Sequence, residues 1–150
     1  MHAFFWDGST LSDLGTLGGQ GSIATALNDS GHVVGMSYIP GDALVSHAVL
    51  WDGSTIRDLG TLGGTEAVAL DINNNGQVVG MGRTATGDKH AFLCEGNAMI
   101  DLNSVLDDSG AGWVLEEAIA INDDGVIAGS GVHNGTSRAF VLTPIGGTSR

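Results

Sequence analysis

The chain repeats itself, and that repetition limits its possible folds more than any single residue does. His2-Ala-Phe-Phe-Trp-Asp-Gly-Ser-Thr-Leu-Ser-Asp-Leu-Gly-Thr-Leu-Gly-Gly19 returns as His47-Ala-Val-Leu-Trp-Asp-Gly-Ser-Thr-Ile-Arg-Asp-Leu-Gly-Thr-Leu-Gly-Gly64. A third copy runs His90-Ala-Phe-Leu-Cys-Glu-Gly-Asn-Ala-Met-Ile-Asp-Leu102, and a fourth stops at Arg138-Ala-Phe-Val-Leu142. A second motif lies between the copies: Ala26-Leu-Asn-Asp-Ser-Gly-His-Val-Val-Gly35, Asp71-Ile-Asn-Asn-Asn-Gly-Gln-Val-Val-Gly80 and Ala120-Ile-Asn-Asp-Asp-Gly-Val-Ile-Ala-Gly129. The period is roughly 45 residues, within the range of stacked repeat architectures. The repeats fall near 2–46, 47–89 and 90–137, with a terminal strand at 138–143, and residues 1–150 read as one repeat domain.

Each motif has the chemistry of a hairpin. Asn28-Asp-Ser-Gly31, Asn73-Asn-Asn-Gly76 and Asn122-Asp-Asp-Gly125 suit a type I turn closed by a left-handed glycine. Asp7-Gly8 and Asp52-Gly53 read as two-residue hairpin turns. Four strand positions per repeat follow: A ends in Ala-Leu/Ile, B is Val-Val-Gly, C is His-Ala-Phe-Leu-Trp, and D is Thr-Leu-x-Asp-Leu. The helix-like stretch Trp113–Ile121 aligns with position A and is read as strand, which makes thirteen strands. Composition agrees. Asp outnumbers Glu 13 to 4, there is a single Lys, and 25 of 150 residues are Gly, a balance that favours turns over helix surfaces.

Four short antiparallel strands per repeat predict an all-β chain built as a β-propeller of four-stranded blades. A β-trefoil is the alternative. Counting the strands gives three blades per chain, too few for a ring, and exchange of terminal hairpins would make a homodimer of six blades. The strand at 138–142 is surplus in that scheme. His-Ala-Phe-Leu-Trp, Asp-Leu-Gly-Thr-Leu-Gly-Gly and Ala-Ile-Asn-x-x-Gly-x-Val-Val-Gly resemble the bacterial HAF repeat proteins. The resemblance implies a propeller-like repeat protein of the cell exterior or envelope and implies no activity. Cys94 for Trp, Asn103-Ser-Val for Gly-Thr-Leu and Arg138 for His depart from it.

Several function classes are disfavoured at this stage. A net charge of −12 repels nucleic acid. No apolar run is long enough to insert into a membrane. Residues 1–6 lack the basic region and apolar core of a signal peptide and enter a repeat at once, as a fragment or a reading frame starting inside a repeat would. The single cysteine excludes an internal disulfide and a cysteine zinc site.

Chemistry, if present, rests on repeated histidines. Taking Asp-Gly as the turn places Trp6 opposite Ser9, Trp51 opposite Ser54 and Cys94 opposite Asn97. His2 then faces Asp13, His47 faces Asp58, and His90 faces Asp101. One reading is a polarised imidazole, as general base or as ligand for a divalent metal such as zinc. The other is a hydrogen bond that fastens strand C to strand D, with His47→Ala costing about 1–3 kcal/mol through a stranded buried carboxylate. Asp71, Asn73 and Asn75 open like a calcium loop, but Gly82 stands where a bidentate Glu belongs. The D-to-A and B-to-C connections should share one face, with Tyr38, Asp42, Arg83, Lys89, His133 and Asn134 as ligand-binding candidates. Glu116-Glu117 and Asp107-Asp108 read as solvated surface. The expectation is a non-catalytic binding or scaffold module for a small molecule, glycan or protein. A metal-assisted ester or phosphoester hydrolase and a purely structural assembly protein are the alternatives.

Overall fold

Every Asn-x-x-Gly turn reverses the chain as its chemistry requires. Asn28 Oδ1 accepts the N–H groups of Ser30 and His32, the Gly31 N–H donates to the Asn28 carbonyl, and Gly31 sits at φ +79°. Gly76 and Gly125 repeat that angle. A computed structural model describes residues 1–53 and 55–145. Among them thirteen strands form: β1 (Phe4–Trp6), β2 (Leu11–Asp13), β3 (Ser22–Leu27), β4 (Val33–Tyr38), β5 (Ser46–Trp51), β6 (Ile56–Gly60), β7 (Gly63–Ile72), β8 (Val78–Thr84), β9 (Lys89–Glu95), β10 (Ala98–Asp101), β11 (Trp113–Ile121), β12 (Ile127–His133) and β13 (Thr136–Leu142). Two 3-10 turns, Leu102–Ser104 and Asp108–Gly110, are the sole helical segments among the described residues. The chain is all-β, and among the described residues no sheet closes into a barrel.

Successive strands pair antiparallel in four sets: β1–β2, β3 to β6, β7 to β10, and β11 to β13. These occupy repeat positions C–D, A–D, A–D and A–C. A single parallel bridge between Ser46 and Glu66 joins the two complete sets into one eight-stranded sheet. The segment 113–121 is strand, as its alignment with position A predicts.

Apolar faces bury one another set against set. Ala3 packs with Val33, Val49 and Trp51; Val34, Ala48 and Leu50 pack with Ile72, Val78, Phe92 and Cys94. Val79, Ala91 and Leu93 pack with Leu115, Ile121, Ile127 and Phe140. Alternation along β4, β5, β8 and β9 therefore feeds two cores at once, one ahead and one behind. Cys94 replaces Trp51 in this plan. Burial pushes its thiol pKa up, so it stays a protonated core side chain.

The C–D turns sit one residue later than the sequence suggests. Phe4 pairs with Asp13 and Trp6 with Leu11, and the Asp7 N–H donates to the Thr10 carbonyl. The tight turn is thus Gly8-Ser9. In the second copy Trp51 pairs with Ile56 and Asp52 N–H donates to Thr55 O, while Ser54 lies outside the described residues. In the third, Glu95 pairs with Ala98 around Gly96-Asn97. The cause is the glycine. Its positive φ (+98° at Gly8, +94° at Gly53, +59° at Gly96) suits the first central position of a hairpin turn. Asp7 is the residue before the turn, where its Oδ1 accepts the Ser9 and Thr10 N–H groups.

The Val-Val-Gly glycines are required by contact rather than by conformation. A Cβ on Gly80 would lie 2.0 Å from the Val68 carbonyl and 2.8 Å from the Phe92 ring, and Gly35 and Gly129 meet Ile23 O and Glu117 O in the same way at 1.9 Å. Register shifts in β3, β7 and β11 stand beside these carbonyls. Gly80→Ala is expected to cost about 3 kcal/mol through overpacking, lowering the melting temperature by roughly 6–12 °C. Gly31→Ala, with open space around its Cβ, should cost about 1–2 kcal/mol from backbone strain alone. Thermal melts of the two variants check the order.

Candidate functional site

A one-residue shift of the turn moves the pairing register by two, which keeps every side chain on its face. His and Asp are therefore diagonal neighbours rather than directly opposed: Asp13 faces Phe4, Asp58 faces Val49 and Asp101 faces Phe92. A long side chain bridges that diagonal. His2 Nδ1 lies 2.7 Å from Asp13 Oδ2, His47 Nδ1 2.8 Å from Asp58 Oδ1, and His90 Nδ1 2.6 Å from Asp101 Oδ2. All three expected contacts form.

The carboxylates have a second task. Asp13 Oδ1 accepts the Gly15 N–H at 2.7 Å, Asp58 Oδ1 the Gly60 N–H at 2.8 Å, and Asp101 Oδ1 the Asn103 N–H at 2.9 Å. Each Asp thereby ties strand C to the bend that leaves strand D. The His2 hydrogen bond, then the Gly15 N–H, hold the Asp13 carboxyl below its ordinary pKa. All six side chains are partly exposed, most at His2–Asp13 and least at His90–Asp101. The buried carboxylate anticipated for Asp58 is a half-exposed one, so its stranding costs less. No group of three or more His, Cys, Asp or Glu gathers as a metal site among the described residues.

Asp71, Asn73 and Asn75 are turn and ladder residues. Asp71 Oδ2 accepts the Ile121 N–H, Asn73 Oδ1 accepts the Asn75 and Gln77 N–H groups, and Asn75 Nδ2 donates to Asp123 O. The D-to-A and B-to-C connections do touch in each copy. Gly19 and Gly64 lie where a Cβ would strike the Tyr38 and Thr84 carbonyls, and the Asn134 N–H donates to Gly112 O. The remaining candidates are engaged locally: Asp42 Oδ1 accepts the Leu44 N–H, Arg83 Nε approaches Glu66 at 3.5 Å, and the His133 ring stacks 4.9 Å from Trp113. Lys89 pairs with Glu117, so this half-buried acid is an ion-pair partner across two sets rather than free surface.

Sequence reasoning missed a groove of about 650 Å³ lined by Leu102, Leu106, Trp113, Phe140, Leu142 and Ile145, among others. It runs where the 102–112 segment departs from Gly-Thr-Leu-Gly-Gly and where β13 lacks a strand at position D. Its lining side chains are mostly apolar, but the exposed wall is about equally polar and apolar, with Asp107 at one side, where Ser109 hydrogen bonds hold the carboxyl below its usual pKa. The chain matches no protein-family model, no curated protein and no solved structure.

Two outcomes are expected. His90→Ala should cost about 1–2 kcal/mol, His47→Ala less and His2→Ala least, because the value of such pairs rises with burial; urea melts decide the order. Separately, Asp7, Asp13, Asp52, Asp107 and Asp123 all have lowered pKa values, chiefly from hydrogen bonds donated by Thr10, His2, Thr55, Ser109 and Asn74 respectively. A depressed carboxylate pKa stabilises the fold above the unfolded value of about 3.9 and ceases to do so as pH falls through the folded value. Urea midpoints should thus carry the full contribution of these groups, unchanged, between pH 7 and about pH 5, then fall below about pH 4. Asp123→Asn should flatten that acid slope.

Proposed function

We propose that the chain is a non-catalytic repeat module of propeller type, serving as a scaffold that displays loops and a groove for binding. One observation carries this reading. In all three copies both functions of the Asp carboxylate are internal, one to the His Nδ1 and one to a backbone N–H two residues on. A catalytic base is needed once, whereas a latch is needed in every repeat. The packing of each strand set against the next, with A strands linked by Thr25 Oγ1 to Ala69 O at 2.6 Å, supports a stack of blades. The groove beside β13 exposes polar and apolar surface in about equal measure and so suits a ligand that carries both, as ligand sites generally combine the two. The likeness to HAF repeats supports a place outside the cell or in its envelope. Among the described residues no helix is long and apolar enough to cross a membrane.

Metal analysis of protein purified without chelator, with an ester and phosphoester panel run with and without EDTA, tests the reading. Metal-free, inert protein is expected. Stoichiometric zinc or chelator-sensitive turnover would replace the scaffold with a metal-assisted hydrolase.

A further inference from the structure

The three Asn-x-x-Gly turns are stacked into a hydrogen-bonded ladder. Asn28 Nδ2 donates to the Asn73 carbonyl at 3.1 Å, and Asn73 Nδ2 donates to the Asn122 carbonyl at 3.0 Å. A second rail runs alongside: the Asp29 N–H donates to Asn74 Oδ1 and the Asn74 N–H to Asp123 Oδ1, both at 2.8 Å. These four contacts point the same way along the chain, while Asn74 Nδ2 donates back to Asp29 Oδ2, so the two rails have unlike ends. At the Asn122 end the donors, Asn122 Nδ2 and the Asp123 N–H, have no partner among the described residues. At the Asn28 end the matching acceptors, the Asn28 carbonyl and Asp29 Oδ1, accept nothing from another turn.

The apolar surfaces beside these ends match in the same sense. Ile72 and Ile121, at 4% and 7% exposure, pack on the neighbouring set, while Leu27 in the same repeat position is 61% exposed. The surface that receives Ile72 holds Val34, and the one that receives Ile121 holds Val79. The equivalent at the other end is Ala128 on β12, with exposed Val141 beside it.

We propose that a second copy of this chain docks on each open end, head to tail, so that Asn122 and Asp123 of one copy donate to Asn28 and Asp29 of the other. The contact occurs twice and closes the pair, continuing both rails through six turns. It rests on the reading of the chain as a propeller-type repeat scaffold. Seating the second copy this way brings its β1–β2 hairpin to β12, where β13 lies. The hairpin supplies positions C and D together with the His2–Asp13 latch. β13 supplies position C alone, with Arg138 in the His position and no ion pair for it among the described residues. The hairpin therefore replaces β13, and the groove walled by Phe140 and Leu142 belongs to the single chain, not to the pair. Trp6 then takes the place opposite Ile127, by the register of Trp51 on Val33, and loses the 56% exposure that its equivalent, Trp51 at 1%, does not have.

Light scattering and sedimentation on the full chain test this. A mass of twice 15.2 kDa is expected, and a wild-type monomer at about 100 µM, a concentration favouring even weak pairs, would overturn the proposal. Leu27→Asp changes an exposed side chain, and Asn122→Asp keeps the acceptor for Val126 N–H while removing the donor. Each should weaken the dimer about tenfold or more with far-ultraviolet circular dichroism unchanged; wild-type affinity in both would overturn the ladder contact. Mixing the two variants restores one sound contact per pair, so a mixed dimer is expected, and its absence would overturn the head-to-tail arrangement. Hydrogen exchange of the Thr136–Leu142 amides should be slow in the Leu27→Asp monomer and fast in the dimer, and slow exchange in both would overturn the hairpin replacement. A metal-dependent activity in a dimer would instead retire the scaffold reading and leave the interface standing.

Discussion

The stacked Asn28, Asn73 and Asn122 turns are the contact on which the arrangement of strand sets depends. A buried primary amide is costly unless its oxygen and both hydrogens find partners. Asn73 meets that demand by closing its own turn with Oδ1 and by reaching Gln77 and the next turn with Nδ2. The same side chain thus folds a hairpin and fixes where the next hairpin begins. Asn74 reinforces this by binding Asp29 on one side and Asp123 on the other. Because these bonds join residues 45 to 50 positions apart, a copy cannot slide against its neighbour without losing several at once.

Much of this was legible in the sequence, and the failures have specific causes. The strands, including Trp113–Ile121, followed from alternation and from the turn motifs that bound them. The His–Asp contacts followed as well, although their derivation placed the turn one residue early. Both Asp7-Gly8 and Gly8-Ser9 are chemically suitable, and sequence alone did not weigh the positive φ that Gly accepts at the first central position. The conclusion survived because a two-residue register error preserves the face. Burial was less legible. Trp6 and Trp51 share a motif yet differ wholly in exposure, since exposure depends on whether another strand set lies beyond. The groove beside β13 was also hidden, because it forms where the repeat departs from its own pattern.

The repeated glycines and the repeated carboxylates solve different problems. Gly35, Gly80 and Gly129 allow a bulged neighbour's carbonyl to approach strand B, which lets strand A bend without leaving the sheet. The Asp latches hold the outer hairpin, where the strands are short: β1 and β2 have three residues each, against ten in β7. Polar fastening is therefore concentrated at the edges. The interior relies on the two-sided packing of Val-Val and Phe-Leu pairs.

A stack of like repeats has a directional consequence. The face of one set that receives its neighbour differs from the face it presents in turn, so a finite stack ends in two unlike but matching surfaces. Repeat proteins that remain single commonly cover such ends with polar capping units. Among the described residues the two end surfaces carry no such cover. Phe4, Trp6 and Leu11 are exposed at one end, and Val141 at the other, all in positions that are apolar in the interior copies. Mutation toward polar residues at these sites would disturb no internal contact of comparable size, yet the interior pattern persists to both ends. A surface that keeps the chemistry of a core, beside hydrogen-bonding groups arranged as a continuing ladder, is the physical ground for the proposed pairing of two copies.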